Sequence, residues 1–249
     1  MVDSPETRCV GLAAQIGRER SVSVLYWVVK ATVGPVLRVV WRPKKSGVKN
    51  LPKRGAAIVA ANHGSYLDWL FLPLVSPRKI CFLAKSDYFT GRGIKGKFQK
   101  AFFAGTGQVP VVRTGGTASA AALETAKEVL ASGRLLGIFP EGTRSPDGRL
   151  YRGRTGVARM ALESGVPVIP CALIGLYEAA PQGRRIPRVA PVEVRIGTPL
   201  DFSHYAGQEA DRAVLRKVTD EIMDAIRELS EQEYVDRYAS SAKAELDAD

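Results

Sequence analysis

The 249-residue sequence predicts an α/β domain with a largely parallel central sheet flanked by helices, preceded by an N-terminal helical element that associates with a membrane. Three observations predict it. From Arg54 onward, short apolar runs alternate with longer amphipathic ones, the order that builds strand–helix–strand units. The chain closes on a long amphipathic stretch, 211–229, suited to cover a sheet. Ahead of all this, residues 21–41 are mostly apolar yet carry Lys30, Gly34, Pro35 and Arg38.

Residues 56–61, 80–84, 108–112, 135–139, 166–174 and 192–196 read as strands, the run 166–174 as a buried one. Helices are expected over 66–74, 117–131, 153–164 and 211–229. The second is Ala-rich, carries Leu123, Val129 and Leu130, and stops before Gly133. The basic stretch 42–54, with two prolines, is the only plausible joint. It divides an N-terminal membrane-interface segment, 1–50, from an α/β domain over 51–249 that ends in the amphipathic helix.

A chain of this length builds a full core without metal or disulfide staples. Cys9, Cys81 and Cys171 are odd in number and widely spaced, and the last two fall in apolar stretches. They read as buried thiols in a reducing compartment, and no cluster of Cys and His has metal-ligand spacing. The first twenty residues carry Asp3, Glu6 and Glu19 and lack a compact apolar core, so no signal peptide is expected.

The formal charge of +11 is unevenly spread. Residues 30–54 hold eight bases and no acid, whereas the tail from Asp201 has thirteen acids against six bases. Such a field suits a polyanion. Here the bases are interleaved with apolar and aromatic residues, as in 36–42 and 97–103, which suits a lipid headgroup boundary better than a nucleic-acid backbone. A membrane span needs about 20 mostly apolar residues, and two charges with a Gly-Pro break fit that poorly. A segment lying in the interface, with Lys30 and Arg38 reaching back to the headgroups, fits better. The competing account is an amphipathic helix packed on the domain itself.

The most informative stretch is Asn62-His-Gly-Ser-Tyr-Leu-Asp68. His63 is one of only two histidines, so a base working near neutral pH has few candidates. If a helix begins near Ser65, Asp68 sits in its first turn and can fold back to the imidazole, fixing its tautomer and stabilising the imidazolium. Residues five apart lie about 140° apart on a helix, so the two meet only if His63 stands outside it. The alternative is that Ser65 and Asp68 form a capping box and the acid only satisfies backbone donors. The glycine pattern 91–96 matches a dinucleotide fingerprint, but it does not directly follow a strand and no acid lies about 20 residues on.

Three further segments accompany the histidine loop: Gly107-Gln-Val-Pro-Val-Val-Arg113, Phe139-Pro-Glu-Gly-Thr-Arg-Ser145 and Val166-Pro-Val-Ile-Pro-Cys-Ala-Leu173. In order and spacing the four blocks resemble those of the glycerolipid acyltransferases, specifically the 1-acylglycerol-3-phosphate acyltransferases, over roughly residues 50–200. The resemblance implies that His63 is the general base on an acceptor hydroxyl and that Asp68 orients it. It implies that Arg113 and the turn Glu141, Gly142, Thr143 and Arg144 bind the glycerol phosphate. Lys85 is a further candidate cation. A carboxylate repels phosphate, so Glu141 is expected at a glycerol hydroxyl or orienting an arginine. Pro110 and Val112 depart from the family's usual second block. The implied partners are lysophosphatidic acid, anionic membrane lipids and acyl-CoA or acyl-carrier protein as co-substrate. No resident cofactor, metal or nucleic acid is implied, and the implied location is the cytoplasmic face of the cell membrane, peripheral or monotopic. The same chemistry on a lysophospholipid, glycerol 3-phosphate or a glycolipid stays open, as do a thioesterase and a non-enzymatic lipid-binding protein.

Overall fold

The computed structural model describes residues 24–85, 107–111, 118–184 and 186–246; Cys9, Arg113 and the stretches 91–96 and 97–103 lie outside them. The main sheet is built from β1 (Lys44–Ser46), β2 (Ala57–Ala61), β3 (Ile80–Lys85), β4 (Gln108–Val111), β5 (Leu135–Ile138), β7 (Val168–Ile174) and β8 (Glu193–Ile196). Their order is β1-β8-β7-β2-β5-β3-β4. Every pairing is parallel except β7 with β8. A short parallel pair, β6 (Leu150–Tyr151) with β9 (Tyr234–Val235), lies apart from it.

Strand β2 sits between β5 and β7, and all five of its side chains are buried. That placement explains its composition: a central parallel strand covered on both faces reads as a continuous apolar run. Its residues divide by the two-residue period of a strand. Ala57, Val59 and Ala61 join the core on one face, beneath α1 (Val24–Trp41) and α2 (Asp68–Val75). Ile58 and Ala60 join the core on the other, beneath α3 (Ala118–Ala131), α4 (Gly156–Ser164) and α6 (Arg212–Ser230). Helix α6 buries Leu215, Val218, Ile222, Met223 and Ile226 at helical spacing, and Asp211 caps it by accepting the amides of Ala213 and Val214. Two short helices, α5 (Leu176–Ala179) and α7 (Ala239–Leu246), are the remaining α-helices among the described residues.

Two expectations need correcting. The basic stretch 42–54, expected as a joint, instead contributes β1, which adds to the sheet along β8 with Lys44 opposite Glu193. The Gly34-Pro35 pair, expected to break the N-terminal helix, lies inside a continuous α1. Residues on both sides of the pair, Tyr26 and Leu37, are buried and hold the helix through it. Gly34 is also where α1 meets α2, since a Cβ there would stand 3.2 Å from Leu74 Cδ1.

Parallel strands bring their C-terminal ends to one edge, and that edge is where an open α/β sheet binds ligands. The histidine loop follows β2, Lys85 ends β3, and the Glu141 turn follows β5. Strand β4 also ends there; Arg113, two residues beyond it, is outside the described residues.

An aromatic stack supports this edge. Gly137 pairs with Phe82 across β5 and β3, and a Cβ on Gly137 would stand 2.3 Å from the Phe82 ring. The space left by the missing side chain is filled by Phe82, which stacks on Phe139 at 5.7 Å between centroids. Gly137→Ala should therefore push Phe82 off its seat and cost about 1–3 kcal/mol of stability, the usual cost of overpacking. A urea unfolding series comparing the variant with the parent chain measures this loss.

Candidate active site

Asp68 is the first residue of α2, and His63 stands outside the helix in the loop that leaves β2. This arrangement meets the geometric condition for residues five apart. His63 Nδ1 lies 2.7 Å from Asp68 Oδ2, and the same oxygen accepts the Ser65 amide at 2.8 Å. Orienting the imidazole and tying down the turn are thus two roles of one carboxylate oxygen. An Nδ1–H donating to the carboxylate leaves Nε2 as the basic nitrogen. Asp68 is fully buried, while 18% of the His63 side chain remains exposed. Burial pushes the Asp68 carboxyl up, opposed by its hydrogen bonds to His63 and the loop amides.

The imidazole has a floor as well as a carboxylate. It stacks on Phe139 at 4.1 Å and 14°, continuing the Phe82–Phe139 stack. The ring plane is held by packing and its rotation by Asp68, so the base is pre-organised.

Glu141 was expected at a glycerol hydroxyl or beside an arginine. Instead it sits behind the loop, 1% exposed, with Oε1 accepting the His63 amide at 2.8 Å and Oε2 accepting the Tyr151 amide at 3.0 Å. It ties the catalytic loop to β6. Burial pushes its carboxyl up to about 8 against the two amide bonds that favour the ionised form. Gly142 turns the chain at φ 76°, and its amide bonds back to the Phe139 carbonyl. A Cβ there would stand 2.9 Å from Arg154, which lies against the turn.

Thr143 and Arg144 are half-buried. Among the described residues, the Arg144 guanidinium has no hydrogen-bond or ion-pair partner; its carbonyl accepts from Gln182 Nε2 at 3.0 Å. An unpaired guanidinium on a turn adjoining a histidine base can receive a planar or tetrahedral oxyanion. The amide of the following residue, Ser145, donates to the His63 carbonyl at 2.7 Å, so the two turns are joined directly.

Sequence reasoning missed the residues that brace these turns. The Asn62 side chain bridges the Leu173 amide and carbonyl and also donates to Gln232. Tyr177 packs over Gly64 and Gly148, each too close to it for a Cβ to fit without a shift. The small residue after His63 was a local signal for such an approach, but nothing in the sequence pointed to Tyr177.

Two side chains near the site that could serve as nucleophiles, Ser65 and Cys171, are otherwise engaged. Ser65 Oγ is buried and donates to the Ala180 carbonyl, and burial pushes the Cys171 thiol up. The fold and the site therefore define an α/β protein with an oriented His–Asp pair at the C-terminal edge of its sheet, an arrangement able to take a proton from a substrate hydroxyl. The chain belongs to the acyltransferase family: a family model described as Acyltransferase matches residues 42–174. It is 30% identical over 195 residues to a 1-acyl-sn-glycerol-3-phosphate acyltransferase of Bacillus subtilis, covering 74% of this chain and 89% of that one. A chloroplastic 1-acyl-sn-glycerol-3-phosphate acyltransferase of Arabidopsis thaliana is 32% identical over 138 residues, 55% of this chain and 37% of that one. The crystal structure of the 1-acyl-sn-glycerophosphate acyltransferase of Thermotoga maritima superposes with a TM-score of 0.61 at 28% identity, covering 82% of this chain and 78% of that one.

Two outcomes follow. Asp68→Asn keeps the shape of the site but not its charge, and should lower kcat about 10³-fold or more in steady-state assays while the fold remains intact by circular dichroism. Glu141 titrates near 4.5 unfolded and about 8 folded, so the folded chain holds the extra proton between these values. Its contribution to stability is fully present below about 4.5 and lost as pH rises through 8. Glu141→Gln cannot titrate and turns an NH₂ toward one of the two amides. Urea titrations should show a loss of about 1–3 kcal/mol at pH 6 and a shallower fall in stability between pH 5 and pH 8.5.

Proposed function

We propose that the enzyme transfers a fatty acyl group from acyl-CoA or acyl-carrier protein to the free hydroxyl of 1-acylglycerol 3-phosphate, making phosphatidic acid for phospholipid synthesis. The observation that carries this reading is the oriented His63–Asp68 pair joined directly to the turn bearing an unpaired Arg144. The names of the Bacillus subtilis and Thermotoga maritima relatives support the choice of acceptor.

His63 Nε2 takes the proton from the acceptor hydroxyl as that oxygen attacks the thioester carbonyl carbon. The carbon–sulfur bond breaks as the tetrahedral intermediate collapses, and the imidazolium returns the proton to the departing thiolate. Asp68 stabilises the imidazolium between the two transfers. Arg144 binds the acceptor's phosphate, with Arg113 and Lys85 assigned the same task by family resemblance. Gly142 and Thr143 shape the turn that places Arg144. The reaction asks for no resident metal or organic cofactor.

The acceptor is a membrane lipid, and α1 is the element suited to reach it. It is mostly apolar, and only 17% of it is buried in the protein. Val24, Trp27, Val28, Val36, Val39 and Val40 are exposed. Lys30 and Arg38 within it suit a headgroup boundary better than a hydrocarbon core. We assign it to the interface of the cytoplasmic leaflet, as a monotopic anchor.

The test uses the purified chain in detergent micelles with labelled oleoyl-CoA, with and without 1-oleoylglycerol 3-phosphate. Acceptor-dependent phosphatidic acid that vanishes in His63→Ala is expected. Free fatty acid formed equally without acceptor would make the protein a thioesterase. Arg144→Ala should raise the acceptor KM about 10- to 100-fold with a smaller change in kcat, as loss of a charge-assisted phosphate contact does.

A further inference from the structure

The loop 181–191, between α5 and β8, carries two of the most exposed large apolar side chains among the described residues. Ile186 is 78% exposed and Val189 69%. The two lie three residues apart and are set among charge, since Arg184 and Arg188 are exposed as well.

The loop's position gives the pattern its meaning. Strand β8 starts opposite the end of β7, with Glu193 facing Ile174, so the loop lies on the edge of the sheet that carries the histidine loop and the Glu141 turn. Strand β1 starts there too, with Lys44 opposite Glu193, and α1 ends just before it. The topology thus separates the basic residues of the N-terminal stretch. Arg42 and Lys44 are at the active-site edge, whereas Lys49, Lys53 and Arg54 follow β1 and precede β2 at the opposite edge.

Both ends of the loop are fastened. Trp41, the last residue of α1, donates its indole N–H to the Arg188 carbonyl at 3.1 Å, and the Arg188 guanidinium donates to the Glu178 carbonyl. At the other end, Gln182 Nε2 donates to the carbonyls of Arg144 and Ser145 at 3.0 and 3.2 Å. One short segment therefore links the apolar N-terminal helix to the turn bearing Arg144, with its apolar tip facing outward.

We propose that loop 181–191 is a second membrane-contact element, inserting Ile186 and Val189 at the headgroup boundary of an anionic bilayer and presenting Arg184 to lipid phosphates. The occupant is a lipid surface because the patch combines apolar tips with arginine and Arg42 and Lys44 extend the positive field along the same edge. With α1 as the first contact, a second contact across the sheet edge fixes how the cleft faces the bilayer. Because the loop is bonded to the Arg144 turn, its docking sets that turn at the depth of an acceptor phosphate. This last consequence rests on the proposed function; the membrane contact does not.

The test places an environment-sensitive dye on Ile186→Cys in a Cys9→Ser background of the full chain. The labelled protein is mixed with vesicles of phosphatidylcholine and phosphatidylglycerol that carry a quencher on carbon 5 of the acyl chains. The expected result is a blue shift with quenching at least half as strong as at a Val39→Cys reporter on α1, and about tenfold weaker vesicle binding by Ile186→Glu/Val189→Glu. A dye that stays in water while the protein sediments with vesicles would overturn the proposal, as would failure to sediment at all. Quenching-independent burial that grows with protein concentration in the absence of vesicles would assign the patch to a second copy and overturn it equally. Acyl transfer to acceptor in micelles is read separately, so loss of the functional assignment and loss of the membrane contact are distinguishable.

Discussion

The Glu141 carboxyl group holds the histidine loop and its own turn in register. It accepts one amide from the histidine loop and one from β6, entirely out of solvent. A buried carboxyl group is costly to place, and the cost is limited because both oxygens find donors and burial favours the protonated form. Once it is in place, the position of His63 depends on the rigid end of β5 and not on the conformational freedom of a six-residue loop. The Ser145 amide closes the same connection from the other side by donating to the His63 carbonyl. His63, the turn bearing Glu141 and Arg144, and the sheet then behave as one unit, as the proposed catalysis by positioning requires.

The same edge of the sheet serves two purposes. Parallel strands deliver the histidine loop, the Glu141 turn and the ends of β3 and β4 to one place, and the strand reversal at β8 brings α1 and loop 181–191 to it as well. Under the proposed function the acceptor lies in a membrane, so the chemistry and the proposed lipid contacts are needed on one side. The sheet topology meets that need without a separate domain, since β1 sits within the sheet and α1 packs on α2.

The legible parts of the molecule were those with a local cause. Strands β2 and β7 announced themselves as apolar runs because both faces are covered, and α6 as an amphipathic repeat because one face is. The link from His63 to Asp68 was readable because five residues and a helix start leave few ways for the pair to be arranged. The two readings of Asp68, catalytic orienter and backbone cap, were not alternatives, since one oxygen does both. Glu141 was misplaced for the opposite reason. Its partners are 78 residues and 10 residues away, and a buried carboxylate bonded to two amides looks in sequence like any acid beside a glycine. The strand β1 was hidden by its charge, because an edge strand has no burial pattern to reveal it.

By itself the sequence determined the α/β class, the residue types available for chemistry and the apolar basic character of the N-terminus, which follow from periodicity and composition over short spans. The four blocks were legible through their resemblance to a known family. Only the tertiary structure decided that Glu141 supports the loop, that Phe82 and Phe139 form the floor beneath the imidazole in the space left by Gly137, and that Ile186 stands exposed on the side of the active site. Each of these depends on which strand ends lie side by side. Strand order is set by the packing of the whole sheet, which no local stretch of sequence records.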